Sequence, residues 1–479
     1  MLFNSLEFAI FFPVVAVIYF ALVGRWRIYW LLTASCIFYA AFVPAYILIL
    51  FLTIIIDFYA GIYLERINSG AKLWLLWISI LATCCVLFVF KYFSFVTRSM
   101  SGFADLFGWN ISLPALNILL PIGLSFHTFQ SLSYVIEVYH GRQKSERNLA
   151  VYATYVMFFP QLVAGPIERP QNLLHQFREH IEFNAERVVI GLRRIALGLF
   201  KKVVVADRLA LYVNDVYATP TQFNGLQLTI ATVFFAYQIY CDFSGYSDIA
   251  IGSARILGFS LMENFNEPYR ALTVNDFWRR WHISLSTWFR DYIYIPIGGS
   301  RVGESRLLVN IFVTFLISGL WHGANWTFAA WGALNGLYLV AGRLTSGMRD
   351  QFFRRIGVEQ NGSVRRAIML STTFLLTCAA WMVFRSSNLG DAGYIFMHLA
   401  RGWDFHELRT PNVLLRSLPV AFGAIVLLEA IQIGLPRLPA KFQLINLSPA
   451  IRWSVYITTI FTILLFGVFQ TSQFIYFQF

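Results

Sequence analysis

The feature that most constrains this chain is the recurrence of apolar stretches about as long as a lipid bilayer is thick. A helix needs roughly 20 mostly apolar residues to cross the hydrocarbon, and within lipid only helices or closed barrels satisfy their own backbone groups. We therefore predict an all-α, polytopic membrane protein with about 11–12 transmembrane helices. The predicted spans are residues 2–22, 28–43, 45–64, 73–96, 113–138, 188–211, 226–258, 307–320, 325–341, 367–384, 413–434 and 453–470.

Composition agrees with a membrane protein and argues against a nucleic-acid partner. Hydrophobic residues make up 58% of the chain and charged residues 13%, with a mean hydropathy of +0.61; soluble proteins carry about 25% charged residues. We assign the net charge of +12 to loops and lipid headgroups, because no alternation of basic and aromatic residues indicates a base-stacking surface. The five cysteines show neither metal-binding spacing nor a disulfide framework. Residues 2–22 lack the basic flank of a signal peptide, so we expect a retained first span.

Basic residues between the spans predict the orientation of the chain, because loops rich in lysine and arginine stay in the cytoplasm. Arg25, Arg66 and Arg142 follow the first, third and fifth spans, and six arginines lie between residues 343 and 366. Placing these loops in the cytoplasm gives a consistent alternation. Both termini then face outward, and His322 lies near the outer side.

One apolar stretch, residues 149–170, is interrupted by residues that break helices. It contains Pro160, Gly165, Pro166 and Pro170. Proline has no backbone N–H and clashes with the preceding helical turn. We therefore predict a re-entrant segment that lines a cavity, protected from lipid by its neighbours, in place of a full span.

A second unusual stretch, residues 271–300, predicts an amphipathic helix. Thr273 and Asp276 have the spacing of a capping box at its start. Tryptophans on one face and arginines on the other predict a helix that lies in the membrane interface, with its indoles at headgroup depth. The residues on the predicted apolar face are Trp278, Trp281, Leu285, Trp288 and Tyr292.

His322 lies in the middle of an apolar stretch, between tryptophans and glycines. An ionisable group at membrane depth is costly and is a functional-site hypothesis by default. Trp321 and Trp326 can wall an apolar slot, while Gly319 and Gly323 allow close approach of a helix or a ligand. Because free imidazole titrates at about pH 6.5, the ring can accept a proton without a metal. A core histidine bonded to a neighbouring helix fits the same residues equally well.

His282, Arg279 and Arg280 belong to the predicted amphipathic helix. The arginines can bind an anionic donor such as a nucleotide phosphate, but lipid headgroups fit the composition better. His282 likewise fits a helix histidine bonded to a backbone or headgroup group better than it fits a functional role.

Asp242 and Asp248 lie six residues apart inside a long apolar run, so one helical face does not bring them close together. Carboxylates within the membrane need partners or water. We predict that they belong to a structural hydrogen-bond network that orients the histidine or a substrate. Polar contacts between helices are predicted for Asp57, Glu137 and Glu429, and His127 is a third membrane histidine to which no role is assigned.

Several kinds of chemistry lack their sequence signatures. The chain has no Gly-x-Ser-x-Gly elbow, no His-Glu-x-x-His helix and no P-loop. A covalent serine or cysteine mechanism and a metal site are therefore not predicted. The chemistry that remains is a general base acting on an activated donor.

Four ordered motifs resemble the membrane-bound O-acyltransferase (MBOAT) family, most closely its bacterial alginate O-acetylation branch. The resemblance extends over nearly the whole chain. The motifs are Phe158-Phe-Pro-Gln-Leu-Val-Ala-Gly-Pro-Ile-Glu168, Tyr240-Cys-Asp-Phe-Ser-Gly-Tyr-Ser-Asp248, Asp276-Phe-Trp-Arg-Arg-Trp-His-Ile-Ser-Leu-Ser286 and Ser318-Gly-Leu-Trp-His-Gly323.

The resemblance implies a single membrane domain over residues 1–479, with a signature core at about 113–342 and peripheral helices at 1–97 and 367–479. Re-entrant and interfacial helices would surround a central tunnel. The signature histidine of the family corresponds to His322, and its second histidine to His282. The residues expected to support them are Trp321, Asn325 and Trp326, which would shape the slot and hold the imidazole tautomer, Arg279 and Arg280 on the donor side, and Asp242 and Asp248.

The resemblance also implies an activity. Members of this branch are thought to take an acetyl group from a cytoplasmic donor, expected to be acetyl-CoA, and pass it across the bacterial inner membrane. The expected partner is a periplasmic SGNH-type acetyltransferase within a polysaccharide secretion complex, and no bound cofactor or metal is expected. A thioester is already activated, so a base, an oriented hydroxyl and exclusion of water suffice. Transfer of D-alanyl or another acyl group to a cell-wall polymer, an acyl permease and a non-catalytic scaffold are the open alternatives.

Overall fold

The computed structural model describes residues 1–67, 70–109, 113–114, 116, 118, 120–360, 362–404, 418–434, 447–469 and 474–475. Every regular element in these residues is helical, which confirms the predicted all-α class. The chain divides into two compact units. The first unit comprises Met1–Ile195 and Tyr246–Met262, and the second comprises Ala196–Gly245 and Glu263–Phe479.

Two helices of the first unit begin after residues whose side chains accept hydrogen bonds from free N–H groups of the first turn. The side chain of Ser5 accepts a hydrogen bond from the Phe8 N–H, and that of Asn148 accepts from the Ala150 N–H, at 3.3 and 2.9 Å. Such caps stabilise a helix start. The helices are Leu6–Ala21 (α1), Trp26–Ala40 (α2), Ile47–Arg66 (α3), Ala71–Leu87 (α4), Phe93–Leu106 (α5), Leu124–Tyr139 (α6), Leu149–Met157 (α7), Phe159–Leu162 (α8) and Pro170–Leu173 (α9).

Buried polar residues join the helices of the first unit to one another. Asp57 of α3 accepts a hydrogen bond from Ser79 of α4 at 2.7 Å. Thr53 of α3 and His127 of α6 are hydrogen-bonded at 2.5 Å. Because polar groups at membrane depth are costly unless they are paired, these contacts stabilise the packing of the helices, and the polar contact predicted for Asp57 is confirmed. The other two predicted carboxylates also have polar partners, Glu137 with Gln171 in this unit and Glu429 with Tyr237 in the second.

The proline-containing stretch 149–170 is broken, as predicted. Helix α7 ends at Met157, α8 has a single turn, and the chain then forms no helix until Pro170. Residues 151–168 are buried throughout. The absence of a proline N–H and the bulk of its ring account for the interruptions.

The second unit contains the aromatic core of the protein. Trp281, Trp331 and Trp381 are among its largest fully buried side chains and belong to one hydrophobic cluster. Helices α10 and α12 of the following list belong to both units, because the chain crosses from one unit to the other between Ile195 and Ala196 and again between Gly245 and Tyr246. The helices are Ala185–Leu199 (α10), Asp207–Ala218 (α11), Gly225–Leu257 (α12), Val274–Arg280 (α13), Ile283–Phe289 (α14), Glu304–His322 (α15), Trp326–Leu344 (α16), Ser346–Arg355 (α17), Ser363–Arg385 (α18), Leu389–His398 (α19), Leu418–Gly434 (α20) and Pro449–Phe466 (α21).

Helices α15 and α16 form a tightly packed hairpin with His322 at its bend, as predicted. Helix α15 ends at His322, and α16 begins at Trp326. A Cβ atom on Gly319 would stand 2.8 Å from the Gly332 Cα, and one on Gly332 would stand 3.0 Å from the Gly319 Cα. Only glycine at both positions permits this approach, which is typical of helices that pack closely in membranes.

Each of the twelve predicted spans contains a helix of the described part of the chain. By length and hydropathy alone, five helical segments among the described residues qualify to cross a membrane, and α1 and α20 are shorter apolar helices. Several of the other predicted spans carry buried polar groups that neighbouring helices satisfy. The five segments are Pro44–Arg66, Ala71–Leu106, Glu304–His322, Ser363–Arg385 and Pro449–Phe466.

Candidate active site

His322 is enclosed by three aromatic side chains at the end of α15. Its imidazole is only 4% exposed. The ring centroids of Trp321, Trp331 and Phe384 lie 5.0, 5.0 and 5.6 Å from that of His322. All three meet the imidazole edge to face, at interplanar angles of 72°, 85° and 76°. The predicted apolar slot around His322 is therefore present, with Trp321 in it.

Two residues predicted for the slot have other roles in the structure. Trp326 is 57% exposed at the first position of α16, so it does not wall the slot. The side-chain oxygen of Asn325 accepts from the Thr327 N–H at 3.1 Å, and its amide nitrogen donates to the Ser387 carbonyl at 3.2 Å. Asn325 is thus the N-cap of α16, and its hydrogen-bonding groups do not fix the imidazole tautomer.

His282 stands at a break between two helices, which corrects the prediction of one continuous amphipathic helix. Helix α13 ends at Arg280 and α14 begins at Ile283, with His282 in the left-handed conformation at φ 43° and ψ 55°. The tryptophans of this stretch are buried in the protein and do not form an exposed apolar face: Trp278 and Trp281 are 8% and 1% exposed. Tertiary packing has therefore overridden the helical periodicity.

A neighbouring segment of irregular chain pairs with the backbone on both sides of His282. The Asn266 N–H donates to the Arg280 carbonyl at 2.9 Å, and the Ile283 N–H donates to the Asn264 carbonyl at 2.9 Å. The His282 ring packs edge to face on Phe243, with centroids 4.5 Å apart. These contacts fix both the turn and the ring.

His282 is fully buried, and burial lowers the pKa of its imidazole well below the ordinary value. The charge of a protonated His322 lowers this pKa further. His282 is neutral at physiological pH, so it can act as a hydrogen-bonding group but not as a cation that attracts phosphate.

A cavity of about 1300 Å³ lies in the second unit, with walls formed by α13 to α18. Ser318, one helical turn before His322, belongs to the wall. Trp278 also belongs to it, and its ring lies 5.7 Å from that of Trp331. Neither histidine is part of this wall, so the cavity ends one aromatic layer short of His322.

The cavity is positively charged, because four arginines and neither aspartate nor glutamate belong to its wall. Arg290 pairs with Asp291 at 2.8 Å and Arg343 pairs with Glu304 at 3.8 Å, and both acidic residues lie outside the wall. Arg279 and Arg349 form no ion pair within the described part of the chain. Such a cavity suits an anionic ligand. The four arginines are Arg279, Arg290, Arg343 and Arg349.

Arg280, the second predicted donor-side arginine, does not belong to the cavity wall. Its guanidinium donates to Asp276 of the same helix at 2.9 Å. This pair is the four-residue spacing that stabilises helices. Of the two arginines that the sequence singled out, only Arg279 therefore faces the cavity.

The two predicted supporting carboxylates form ion pairs. Asp242 lies 2.7 Å from Lys202 and accepts from the Ile475 N–H at 2.8 Å. Lys202 also lies 2.8 Å from Asp207, and all three side chains are almost completely buried. Asp248, in the first unit, pairs with Arg194 of α10 at 3.0 Å. Both carboxylates therefore have structural roles, because they join packed segments of the protein through ion pairs.

Taken together, these features define a helical membrane protein that encloses a histidine beside a cavity lined by arginines. The sequence profile of the membrane-bound O-acyltransferase family matches residues 59–382. The chain is 36% identical over 419 residues to the probable alginate O-acetylase AlgI of Pseudomonas aeruginosa, which covers 86% of this chain and 78% of that protein. It is 33% identical over 391 residues to the peptidoglycan O-acetyltransferase of Helicobacter pylori, covering 76% and 72%. The teichoic acid D-alanyltransferase of Bacillus subtilis is 25% identical over 288 residues, covering 58% and 69%.

The chain therefore belongs to the membrane-bound O-acyltransferase family. It is a multi-pass membrane enzyme that transfers an acyl group to an oxygen.

Proposed function

We propose that this O-acyltransferase takes an acetyl group from acetyl-CoA on the cytoplasmic side of the bacterial inner membrane and delivers it for O-acetylation of an exopolysaccharide such as alginate. The proposal is supported by the names of the relatives, among which the alginate O-acetylase and the peptidoglycan O-acetyltransferase are acetyl-transfer proteins. The D-alanyltransferase is a more distant relative. Acetyl is therefore the favoured acyl group.

The single observation that carries the proposal is the enclosure of His322 next to the arginine-lined cavity. Small-molecule pockets usually measure about 300–1000 Å³, so a cavity of about 1300 Å³ has room for a ligand of coenzyme size. The phosphates of coenzyme A would pair with Arg279 and Arg349. Arg343 and Arg349 lie in the loop region that the distribution of basic residues assigns to the cytoplasm, which is the compartment of the expected donor.

In the proposed reaction His322 acts as general base. An acceptor hydroxyl attacks the thioester carbonyl carbon while its proton moves to the imidazole, and the carbonyl π electrons move to oxygen. When the resulting tetrahedral intermediate collapses, the carbon–sulfur bond breaks and the thiolate takes the proton from His322. The products are an acetyl ester and free coenzyme A. Neutral His282 serves as a hydrogen-bonding group on the donor side, and the surrounding aromatic rings exclude water that would hydrolyse the thioester.

Access to His322 requires movement of the aromatic layer that closes the cavity. Ser318 and Trp278 belong to the cavity wall, while His322 is almost fully buried. The acceptor would arrive from the outer side, presented by a periplasmic SGNH-type acetyltransferase partner. In this scheme the chain performs a step that a soluble enzyme cannot, because acetyl-CoA is too polar to cross lipid and its acetyl group must be transferred to an acceptor within the membrane protein.

The proposal is tested with inside-out membrane vesicles that contain the chain and the polysaccharide secretion system. [14C]Acetyl-CoA supplied at the exposed cytoplasmic face should yield labelled polymer and free thiol. His322→Ala should reduce both by at least about 100-fold, the contribution of a general base, while the exposed residue His175 can be changed to alanine without effect.

The alternatives predict different results in the same assay. A permease would let His322→Ala retain acetyl flux, and a scaffold would let it retain polymer acetylation. Either result, with the variant inserted and folded to the wild-type level, contradicts the proposed function.

A further inference from the structure

Trp331 is the most deeply buried of the indoles that contact His322. Its side chain is 1% exposed, and its ring centroid lies 5.0 Å from the imidazole at an interplanar angle of 85°. Phe384 and Trp381 pack on its other ring atoms, with centroids 5.2 and 5.7 Å away. Trp331 is therefore held in one place beside the candidate base. It is not among the residues that the sequence motifs indicate.

The indole N–H of Trp331 has no hydrogen-bond acceptor among the described residues. Buried N–H groups are nearly always paired, so an unpaired one in a native core calls for an explanation. A phenylalanine would supply an aromatic ring at this position without leaving a donor unsatisfied. The retained N–H is available to an acceptor that is present only while the enzyme works.

We propose that Trp331 is a catalytic residue whose Nε1–H donates a hydrogen bond to the oxyanion of the tetrahedral intermediate. The inference rests on the proposed function, in which the attack of the acceptor hydroxyl places two electrons and a negative charge on the former carbonyl oxygen. That oxygen forms next to the base that removes the hydroxyl proton. The Trp331 ring contacts that base, with ring centroids 5.0 Å apart, in a buried environment where a fixed donor stabilises developing charge strongly. No proton is transferred from Trp331 in this step.

The decisive variant replaces Trp331 with 3-(3-benzothienyl)alanine, an isostere in which sulfur takes the place of the indole N–H. The oxyanion exists only in and near the transition state, so removal of its donor should lower kcat and leave KM for acetyl-CoA unchanged. We expect kcat for thiol release from acetyl-CoA to fall about 100–1000-fold, as for other oxyanion donors. Trp331→Phe should lower kcat to a similar extent, with an additional loss of thermal stability from the cavity that it leaves.

Trp381→Phe is the matched control. Trp381 is 2% exposed and stacks on Trp331, so this change should reduce thermal stability as Trp331→Phe does but keep kcat within about twofold of wild type. The inference is overturned if the benzothienyl variant keeps its kcat while His322→Ala loses activity, and in that case the proposed function stands. If His322→Ala and the benzothienyl variant are both fully active, the proposed function itself has failed.

Discussion

Asn264 and Ser284 are joined by two hydrogen bonds that close around the left-handed turn at His282. The Oδ1 atom of Asn264 accepts from the Ser284 N–H at 3.2 Å and from the Ser284 hydroxyl at 2.9 Å. A residue other than glycine costs roughly 1–2 kcal/mol in this conformation. The bonds from Asn264 compensate for that cost, so the side chain of Asn264 determines where the His282 imidazole stands.

Asn264→Ala should therefore reduce catalysis through His282. The change leaves the Ser284 donors unsatisfied in a buried place, for a loss of roughly 1–3 kcal/mol in the free energy of unfolding. Because misplacement of a reacting group by about 1 Å can cost 100-fold in rate, kcat for acetyl transfer should fall by about 10–100-fold. Asn266→Ala is the control, since Asn266 contacts Arg280 only through its backbone N–H and is exposed. Full activity of Asn264→Ala would show that the turn at His282 keeps its conformation without the hydrogen bonds to the Asn264 side chain.

The unpaired arginines of the cavity predict a defect in donor binding. Arg349→Gln and Arg279→Gln each remove a charge that has no acidic partner among the described residues. A lost charge-assisted hydrogen bond is worth about 1.5–3 kcal/mol, so KM for acetyl-CoA should rise at least about tenfold while kcat changes little.

The control for this pair is Arg355→Gln. Arg355 is exposed on the same helix as Arg349 and does not belong to the cavity wall. The KM of Arg355→Gln for acetyl-CoA should therefore match that of the wild type. The difference in KM between each cavity variant and the wild type should also shrink as salt is added, because salt screens the attraction that the arginine exerts on the donor in the wild type. An equal rise in all three variants would indicate a nonspecific surface effect.

The parts of the structure that the sequence predicted are those that depend on local order. Span positions, the hairpin bend at His322 and the break in residues 149–170 follow from hydrophobic length, glycine and proline. The N-cap at Thr273 is also present, since its hydroxyl accepts from the Asp276 N–H at 3.1 Å. These features require no knowledge of what packs against them.

The parts that could not be predicted depend on distant contacts. The turn at His282 interrupts a good helical pattern because Asn264, far away in sequence, supplies the competing hydrogen bonds. Trp326 and Trp331 are both tryptophans of one helix, yet only the second faces His322. One feature of the sequence could have indicated Trp331. The pairing of Gly319 with Gly332 sets the register of the α15–α16 hairpin, and this register places Trp331 opposite the last turn of α15.

The same glycine pair predicts a stability defect that reaches the site. Gly319→Ala or Gly332→Ala would force a Cβ atom into the partner backbone, and overpacking of this kind costs roughly 1–3 kcal/mol. The strain falls within one turn of His322, so acetyl transfer should fall together with the midpoint of thermal unfolding. Gly393→Ala in α19 meets nothing within 4 Å and should raise stability by about 0.5–1 kcal/mol. If Gly319→Ala were as stable and active as Gly393→Ala, the close approach would be unnecessary.

Glu168 predicts how the stability of the protein changes with pH. Its side chain is completely buried outside the apolar spanning helices and accepts a hydrogen bond from the Met262 N–H. Burial raises the pKa of this carboxyl from 4.5 to about 7. The native state therefore holds the proton more tightly than the unfolded state does. Its contribution to stability is complete below pH 4.5 and is lost as the pH rises through about 7.

Glu168→Gln keeps an oxygen for the Met262 N–H but is neutral at every pH. Relative to this variant, the wild type should lose on the order of 3 kcal/mol of unfolding free energy between pH 5 and 8, from 1.36 kcal/mol per pKa unit. The measurement is the midpoint of thermal unfolding in detergent micelles as a function of pH for both proteins. The exposed residue Glu359 provides the control, since Glu359→Gln should follow the wild-type curve. A constant difference between wild type and Glu168→Gln over this range would mean that the carboxyl is not held protonated by the fold.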